Sequence, residues 1–425
     1  MTKQLVSCQL SLDHWPSPLA GEGGRRLGEG NRSSLYSAGL FSSACYNFSM
    51  TLRPLRDNLE IRDHELLKPY TTFKIGGPAR HFALIKSPGD LSEAIEFAKA
   101  EREHILVLGG GSNVLISDGG FNGLVVHPVH QGITLVREDA DTVTLRINAA
   151  ETWDNVVEHA VAHGWWGIEN LSHIPGQAGA ALVQNIGAYG RQIGDVLECA
   201  EVMDLRTGEV RTLGIEDCQL AYRKSVFNTS ARGRFFILGL TLKLSKLERP
   251  NLQYTDVRAY FDSREIGRPT QLDIRKAIVA IRDRKFPFPR EEKGGNAGSF
   301  FKNLVLTQAE YDRLEANFRK NFSPNELARL REFRNRFQAG NGIKIPTAFL
   351  MEACGLKGCR AGRAEVNETQ PLVLLNQGGA TAADVMGLVK RIRQTIYERT
   401  GMVISIEPEL IGFRPAEMED HLALQ

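Results

Sequence analysis

The stretch "IPGQAGAALVQNIGAYG", from Ile174 to Gly190, carries Gly176, Gly179, Gly187 and Gly190 and no charged residue. A segment with so little side chain fills no space of its own and invites close approach of its backbone, either to another part of the chain or to a large flat ligand. A second such stretch lies upstream, where "LVLGGGSNV" sets Gly109, Gly110, Gly111, Ser112 and Asn113 in a row. One glycine-rich turn is usually only a turn, and a tightly packed interdomain turn is the plain alternative for the longer stretch. Two in one segment point to a nucleotide cofactor held through backbone groups.

The surroundings read as a βαβ-like unit. "RHFALIK" is a strand, "SPGDLSEAIEFAKAE" a helix that Ser87 can cap and Pro88 can start, and "ILVLGGGSNVLI" a buried strand broken at its glycines. The spacing argues against a dinucleotide fold of the Rossmann type, because GxGxxG fitted on Gly109 and Gly111 needs a third glycine where Val114 stands, and a short apolar run follows in place of a long helix.

Composition narrows the class. The 425 residues, 42% hydrophobic and 24% charged, describe a soluble globular chain of about two or three domains. A formal charge of +2 lacks the basic footprint of a nucleic-acid or membrane-surface binder, so small-molecule partners are expected. No apolar run reaches the roughly 18–20 residues of a membrane span. The six cysteines (Cys8, Cys45, Cys199, Cys218, Cys354, Cys359) form no CxxC pair, so neither a disulfide framework nor a metal site is expected, and a reducing cytoplasm fits. Residues 1–49, with "PSPLAGEGGRRLGEGNRSS", show no period and are expected to be a disordered extension, Met50 opening the regular chain.

Farther on, "RFFILGLTLKL" is a strand that closes the first large domain, "NLQYTDVRAYFD" an irregular link, and "TQLDIRKAIVAIRDRK" a helix with a capping box of Thr270 and Asp273. Helices follow at "TQAEYDRLEANFRK", "SPNELARLREFRNRF" and "AFLMEACG", then a strand "PLVLLN". The helix after Thr381 has an apolar face of Val385, Leu388, Val389, Ile392 and Ile396 and stops at Gly401. The chain closes on "VISIEPELIGF", read as a strand on which Glu407 and Glu409 point the same way; on composition alone, a charged edge strand accounts for them. "GGNAGSFFKN" seats Ser299 among small residues ahead of two phenylalanines, and "CQLAYRKSVFN" carries Tyr222 and Arg223, the latter by default a surface cation.

In this order, "YTTFKIGGPARHF", "LVLGGGSNVLISDGGFNGLVV", "GIENLSHIPGQAGAALVQNIGAYG", "AYRKSVF", "GNAGSFFKNLV" and "EPELIGF" resemble the UDP-N-acetylenolpyruvoylglucosamine reductase family of flavoenzymes in bacterial peptidoglycan synthesis, over Thr72 to Phe413. The resemblance implies an α+β fold. An FAD-binding domain of the vanillyl-alcohol-oxidase (PCMH) type would span 50–245, a linker with a substrate-covering loop and helix 246–284, and a smaller α+β substrate-binding domain 285–413, leaving a tail at 414–425. FAD would be held noncovalently by Gly109, Gly110, Gly111, Ser112, Asn113, Ile174, Pro175, Gly176, Asn185, Gly187, Ala188 and Tyr189, with NADPH as reductant and UDP-N-acetylglucosamine enolpyruvate as substrate.

By the same likeness Arg223 stabilises the charge that develops on the substrate, Ser299 donates a proton to it, and Glu409 polarises its carboxylate. A carboxyl kept neutral for that task must be desolvated, so burial of Glu409 is expected. Tyr222, Tyr254, Lys285 and Asn303 match substrate-contacting positions. Ile411 and Phe413 depart from the pattern, standing in a segment where relatives often carry an arginine.

Three other readings compete. Ser299 to Lys302 fits SxxK, the acylating signature of penicillin-binding proteins, although no SDN or KTG accompanies it. A flavin oxidase of the same superfamily would share the glycine loops without the set of Arg223, Ser299 and Glu409. A noncatalytic nucleotide-binding module would make that set a coincidence.

Overall fold

The structure is a computed structural model and describes residues 59–286, 293–336, 338–339 and 342–423. The extension expected over 1–49 and its boundary at Met50 lie outside these residues.

The capping signals act as the sequence implies. Ser87 accepts the N–H of Asp90, whose carboxylate returns to the cap backbone, and the helix Pro88–Glu101 starts there. It buries Leu91, Ala94, Ile95 and Ala98 against a mixed sheet ordered Ile61–Asp63, Ala79–Ile85, Phe121–Pro128 and Ile105–Val107. Beside it lies an antiparallel sheet ordered Val210–Gly214, Leu197–Asp204, Phe235–Ser245, Thr142–Asn148 and Ile133–Glu138. The central strand Phe235–Ser245 is covered on both faces: Ile237, Leu240, Leu242 and Leu244 enter one cluster, and Phe236 enters the other. Burial on both faces removes the polar–apolar alternation that a half-exposed strand would show.

The segment read as an irregular link is instead a helix, Thr255–Asp262. Val257 and Phe261, four residues apart, pack against Ile274, Ala277, Ile278 and Ile281 of the helix Gln271–Lys285. That longer helix is fastened to the helix Trp153–Ala162 by Arg275, whose Nη1 and Nη2 reach the two carboxylate oxygens of Asp154 at 2.6 and 2.9 Å.

The remaining chain builds a second core. Phe300, Phe301, Tyr311, Phe318, Leu388, Ile392 and Ile396 sit inside it, between the helices Gln308–Asn321, Pro324–Arg336, Thr347–Ala353 and Ala382–Thr400 and two small antiparallel sheets. The closing strand is shorter than expected. Pro408 has no N–H to give a ladder, so Ile406 makes only an isolated bridge to Phe301, and regular pairing runs over Glu409–Ile411. This strand leaves its own core and lies parallel to Val114–Ile116, which has no other strand partner among the described residues. A second tie runs the other way, the Asp118 carboxylate accepting the N–H groups of Ala382 and Ala383 at 2.8 and 3.0 Å. The segment read as a tail forms a helix, Pro415–Leu422.

Candidate flavin and substrate cleft

A cavity of about 810 Å³ opens where the glycine loops face the closing segment, a size that suits a cofactor with part of a substrate. The two loops press on one another. A Cβ on Gly110 would lie 2.7 Å from the Cα of Gly176, so neither loop leaves room for a side chain at the crossing. Gly109, Gly111, Ser112, Asn113, Ile174, Pro175, Gly187 and Ala188 are in the cavity wall, and Gly110 and Gly176 stand behind it as the crossing itself. Among the described residues, the backbone N–H groups from Gly109 to Asn113 donate no hydrogen bond. Gln177, also in the wall, gives its Nε2 to the carbonyl of Pro128 at 3.1 Å while its buried Oε1 has no partner. Idle donors and an orphaned acceptor on a surface too close for side chains fit a flavin nucleotide, which supplies both phosphate oxygens and ring N–H groups.

Asn185 and Tyr189 stand outside that wall and serve its frame. The buried Asn185 amide donates to Gln192 Oε1 and to the carbonyl of Ala221, each at 3.1 Å, and its Oδ1 accepts the N–H of Gly194. Tyr189 is buried beside Arg282, and burial pushes its phenol up to about 12.

Arg223 is carried by a two-residue hairpin turn closed by mutual hydrogen bonds between Ala221 and Lys224. Its φ of +55° is left-handed, a conformation that disfavours a residue with a Cβ by about 1–2 kcal/mol. Asn185 holds one side of the turn at the Ala221 carbonyl and Asn228 the other, donating to the Arg223 carbonyl at 3.2 Å. The guanidinium Nε lies 2.8 Å from Oε1 of Glu407. Ser299 reaches the same cavity from a segment whose register is fixed by the Phe300 N–H on the carbonyl of Leu372 at 2.7 Å and by the wholly buried Phe300 and Phe301 rings.

The two glutamates differ sharply. Glu409 lines the cavity but its side chain is 39% exposed and bound by Arg232, through Nε at 3.0 Å and through Nη2. The burial expected for Glu409 belongs instead to Glu407, 9% exposed. Burial pushes the Glu407 carboxyl above its ordinary value, against the pull of Arg223 and Lys302. A charged edge strand therefore does not describe this pair.

The four expected substrate contacts lie outside the cavity wall. Tyr222 is half exposed, its ring facing the Lys344 ammonium at 5.1 Å, and Tyr254 packs edge-on against Tyr189 at 5.2 Å. Lys285 pairs with Asp256, and Asn303 Oδ1 accepts the N–H of Thr347 at 3.1 Å. Gln177, Arg232, Arg282, Lys302 and Glu407 line the cavity without having been singled out for it. A signal existed for Arg282, which follows Ile278 by four residues on the apolar face of its helix. Arg232, in a loop, offered none.

The half that carries the glycine loops matches the model of the FAD binding domain over residues 79–214, in agreement with the expected flavin domain of an α+β fold. The protein is thus an FAD-binding flavoprotein. Residues 289–411 match the C-terminal domain of UDP-N-acetylenolpyruvoylglucosamine reductase. Enzymes of that name from Chromobacterium violaceum and Flavobacterium johnsoniae are 38% and 34% identical over 357 and 354 residues, 83% of this chain and 99% and 100% of the relatives. The crystal structure of UDP-N-acetylenolpyruvylglucosamine reductase from Thermus caldophilus superposes with a TM-score of 0.55 at 25% identity, covering 83% of this chain and 99% of that one. The chain belongs to the UDP-N-acetylenolpyruvoylglucosamine reductase family.

Proposed function

We propose that the chain reduces UDP-N-acetylglucosamine enolpyruvate to UDP-N-acetylmuramate, in the cytoplasm, as a step of peptidoglycan precursor synthesis, with NADPH as reductant. The observation that carries this reading is the convergence of Arg223, Ser299 and Glu409 on the cavity that the glycine loops line. FAD, when bound there, supplies the chemistry of accepting a hydride from NADPH and passing it to the vinyl methylene carbon of the substrate.

The chain's own residues deal with what that addition leaves behind. Negative charge grows on the neighbouring carbon and its carboxylate, and the guanidinium of Arg223, carried to the cavity on a fixed turn, stabilises it. Glu409 acts at the same carboxylate, at the rim of the cavity. The carbanion-like carbon then takes the proton of Ser299 Oγ, an acid too weak for most purposes but competent opposite so strong a base. Phe300 and Phe301, both buried, anchor the backbone that directly follows Ser299.

Anaerobic stopped-flow spectroscopy of Ser299→Ala tests the assignment. NADPH should still bleach the flavin, and recolouring by the enolpyruvyl sugar nucleotide should slow by about 10²–10⁴-fold, the usual worth of a positioned proton donor. Turnover at the wild-type rate would remove Ser299 from the mechanism.

A further inference from the structure

We propose that Glu407 is the positioning residue for Arg223, seating its guanidinium beside Ser299 and yielding it to the carboxylate of the arriving substrate. This rests on the assignment of Arg223 to the substrate's charge.

The main chain fixes the carboxylate first. The Glu407 N–H donates to the carbonyl of Phe300 at 2.9 Å and the Lys302 N–H to that of Ser405 at 2.9 Å, so the segment carrying Glu407 is laid directly along the one carrying Ser299. Whatever Glu407 binds is thereby registered against the proton donor. The backbone of Arg223 is equally fixed, by its left-handed turn and by Asn228. Only the side-chain torsions of the arginine are left to set, and they are the ones the ion pair sets.

The surrounding charges make that pairing necessary. Arg282 and Lys344 both feel the charge of Arg223 as a repulsion, and Lys302 acts on Glu407 as a further positive charge. The other cavity carboxylate, Glu409, is engaged by Arg232. Among the described residues, Glu407 is the one ion-pair partner of Arg223. Without it the guanidinium would face like charges only and swing toward solvent.

The contact is also built to be exchanged. Although Nε and Oε1 are 2.8 Å apart, Nε has no aligned hydrogen bond among the described residues. A buried pair held by charge without aligned hydrogen bonds is incompletely satisfied, so a substrate carboxylate offering aligned acceptors can compete for the guanidinium. The elevated position of the Glu407 carboxyl fits this, since a buried acid that loses its partner can take a proton instead of standing as a bare charge.

The test uses the flavin-loaded enzyme in four forms besides wild type: Glu407→Gln, Glu407→Asp, Arg223→Lys and the double variant Glu407→Gln/Arg223→Lys. Two quantities are read: the dissociation constant of the enolpyruvyl sugar nucleotide for the oxidised enzyme, from the perturbed flavin spectrum, and the rate at which that substrate recolours the reduced flavin. Glu407→Gln should slow recolouring at least tenfold and weaken binding. The double variant should be no slower than Arg223→Lys alone, because a positioning residue has nothing left to position. Multiplying of the two defects would mean that Glu407 acts independently of Arg223 and would overturn the proposal. So would wild-type behaviour of Glu407→Gln beside a slowed Arg223→Lys. If Arg223→Lys is itself unimpaired, the assignment of Arg223 falls, and the inference with it. Should Glu407→Gln fail to retain flavin, Glu407→Asp, which keeps the charge but draws it back by one methylene, is read by the same criteria.

Discussion

Replacing Gly110 by alanine separates the two glycine loops at the point where they cross. The new Cβ would stand 2.7 Å from the Cα of Gly176 and 3.1 Å from the backbone nitrogen of Gln177, where ordinary contact begins near 3.4 Å. The loops must therefore part by about 0.7 Å, the difference between 2.7 and 3.4 Å. No flexible side chain can absorb that shift, because the opposing atoms are backbone. Overpacking of this kind costs about 1–3 kcal/mol. Gly109, Gly111, Pro175 and Gln177 ride on the same loops and form the cavity wall, so the cost falls largely on the complex with FAD. At about 1.4 kcal/mol per factor of ten, the dissociation constant should rise roughly 5- to 150-fold. The assay is titration of the apoprotein with FAD, followed by flavin fluorescence, with thermal unfolding of the apoprotein recorded alongside. Gly119→Ala is the control, its Cβ meeting nothing nearer than Ser117 Oγ at 3.8 Å. Unchanged affinity in Gly110→Ala, or an equal loss in Gly119→Ala, would refute the reasoning.

Two further expectations concern how the parts are held together. Burial works against the charge of Asp154, but the two-pronged contact with Arg275 and the N–H of His173 outweigh it and hold the carboxyl below its ordinary value of 3.8. Its contribution is therefore present at neutral pH and is lost as pH falls through the lowered value. Asp154→Asn should destabilise by about 1.5–3 kcal/mol at neutral pH. In urea unfolding the deficit should shrink well below pH 3.8, and a deficit that persists undiminished in acid would contradict the assignment. Asp118→Ala removes the acceptor from two N-terminal N–H groups of the helix Ala382–Thr400 and should cost about 1–2 kcal/mol; an unfolding midpoint equal to wild type would show that this tie adds nothing.

Features with local causes were legible in the sequence. The helices Pro88–Glu101, Gln271–Lys285, Gln308–Asn321 and Ala382–Thr400 all begin at capping boxes readable from residue types three apart. The glycine loops announce their own steric demand. The helix Thr255–Asp262 escaped because its N-cap, Tyr254, makes no side-chain cap and only two of its residues are buried. The site was legible in its residue types more than in its pairings. Alternation makes Glu407 and Glu409 look equivalent, yet Pro408 interrupts the ladder, and the two carboxylates find different arginines on the loop between Ala221 and Phe235. Asn185 illustrates the same point: a glycine-rich context suggested a ligand contact, and its amide is engaged by Gln192, by Gly194 and by the turn that carries Arg223. Such pairings join residues far apart in the chain, and periodicity does not report them.

The parallel pairing of Glu409–Ile411 with Val114–Ile116 bears on how the enzyme is made. The Ser117 hydroxyl donates to the Gly412 carbonyl across 295 residues of chain, a closure whose entropy must be met before its contacts contribute. While the polypeptide emerges from the ribosome, the strand after the first glycine loop waits as an open edge, and such edges invite wrong partners. The cleft is completed only when Glu409–Ile411 arrives. Flavin capture then becomes a late event in biogenesis, one that waits for Glu409–Ile411 to reach the first glycine loop.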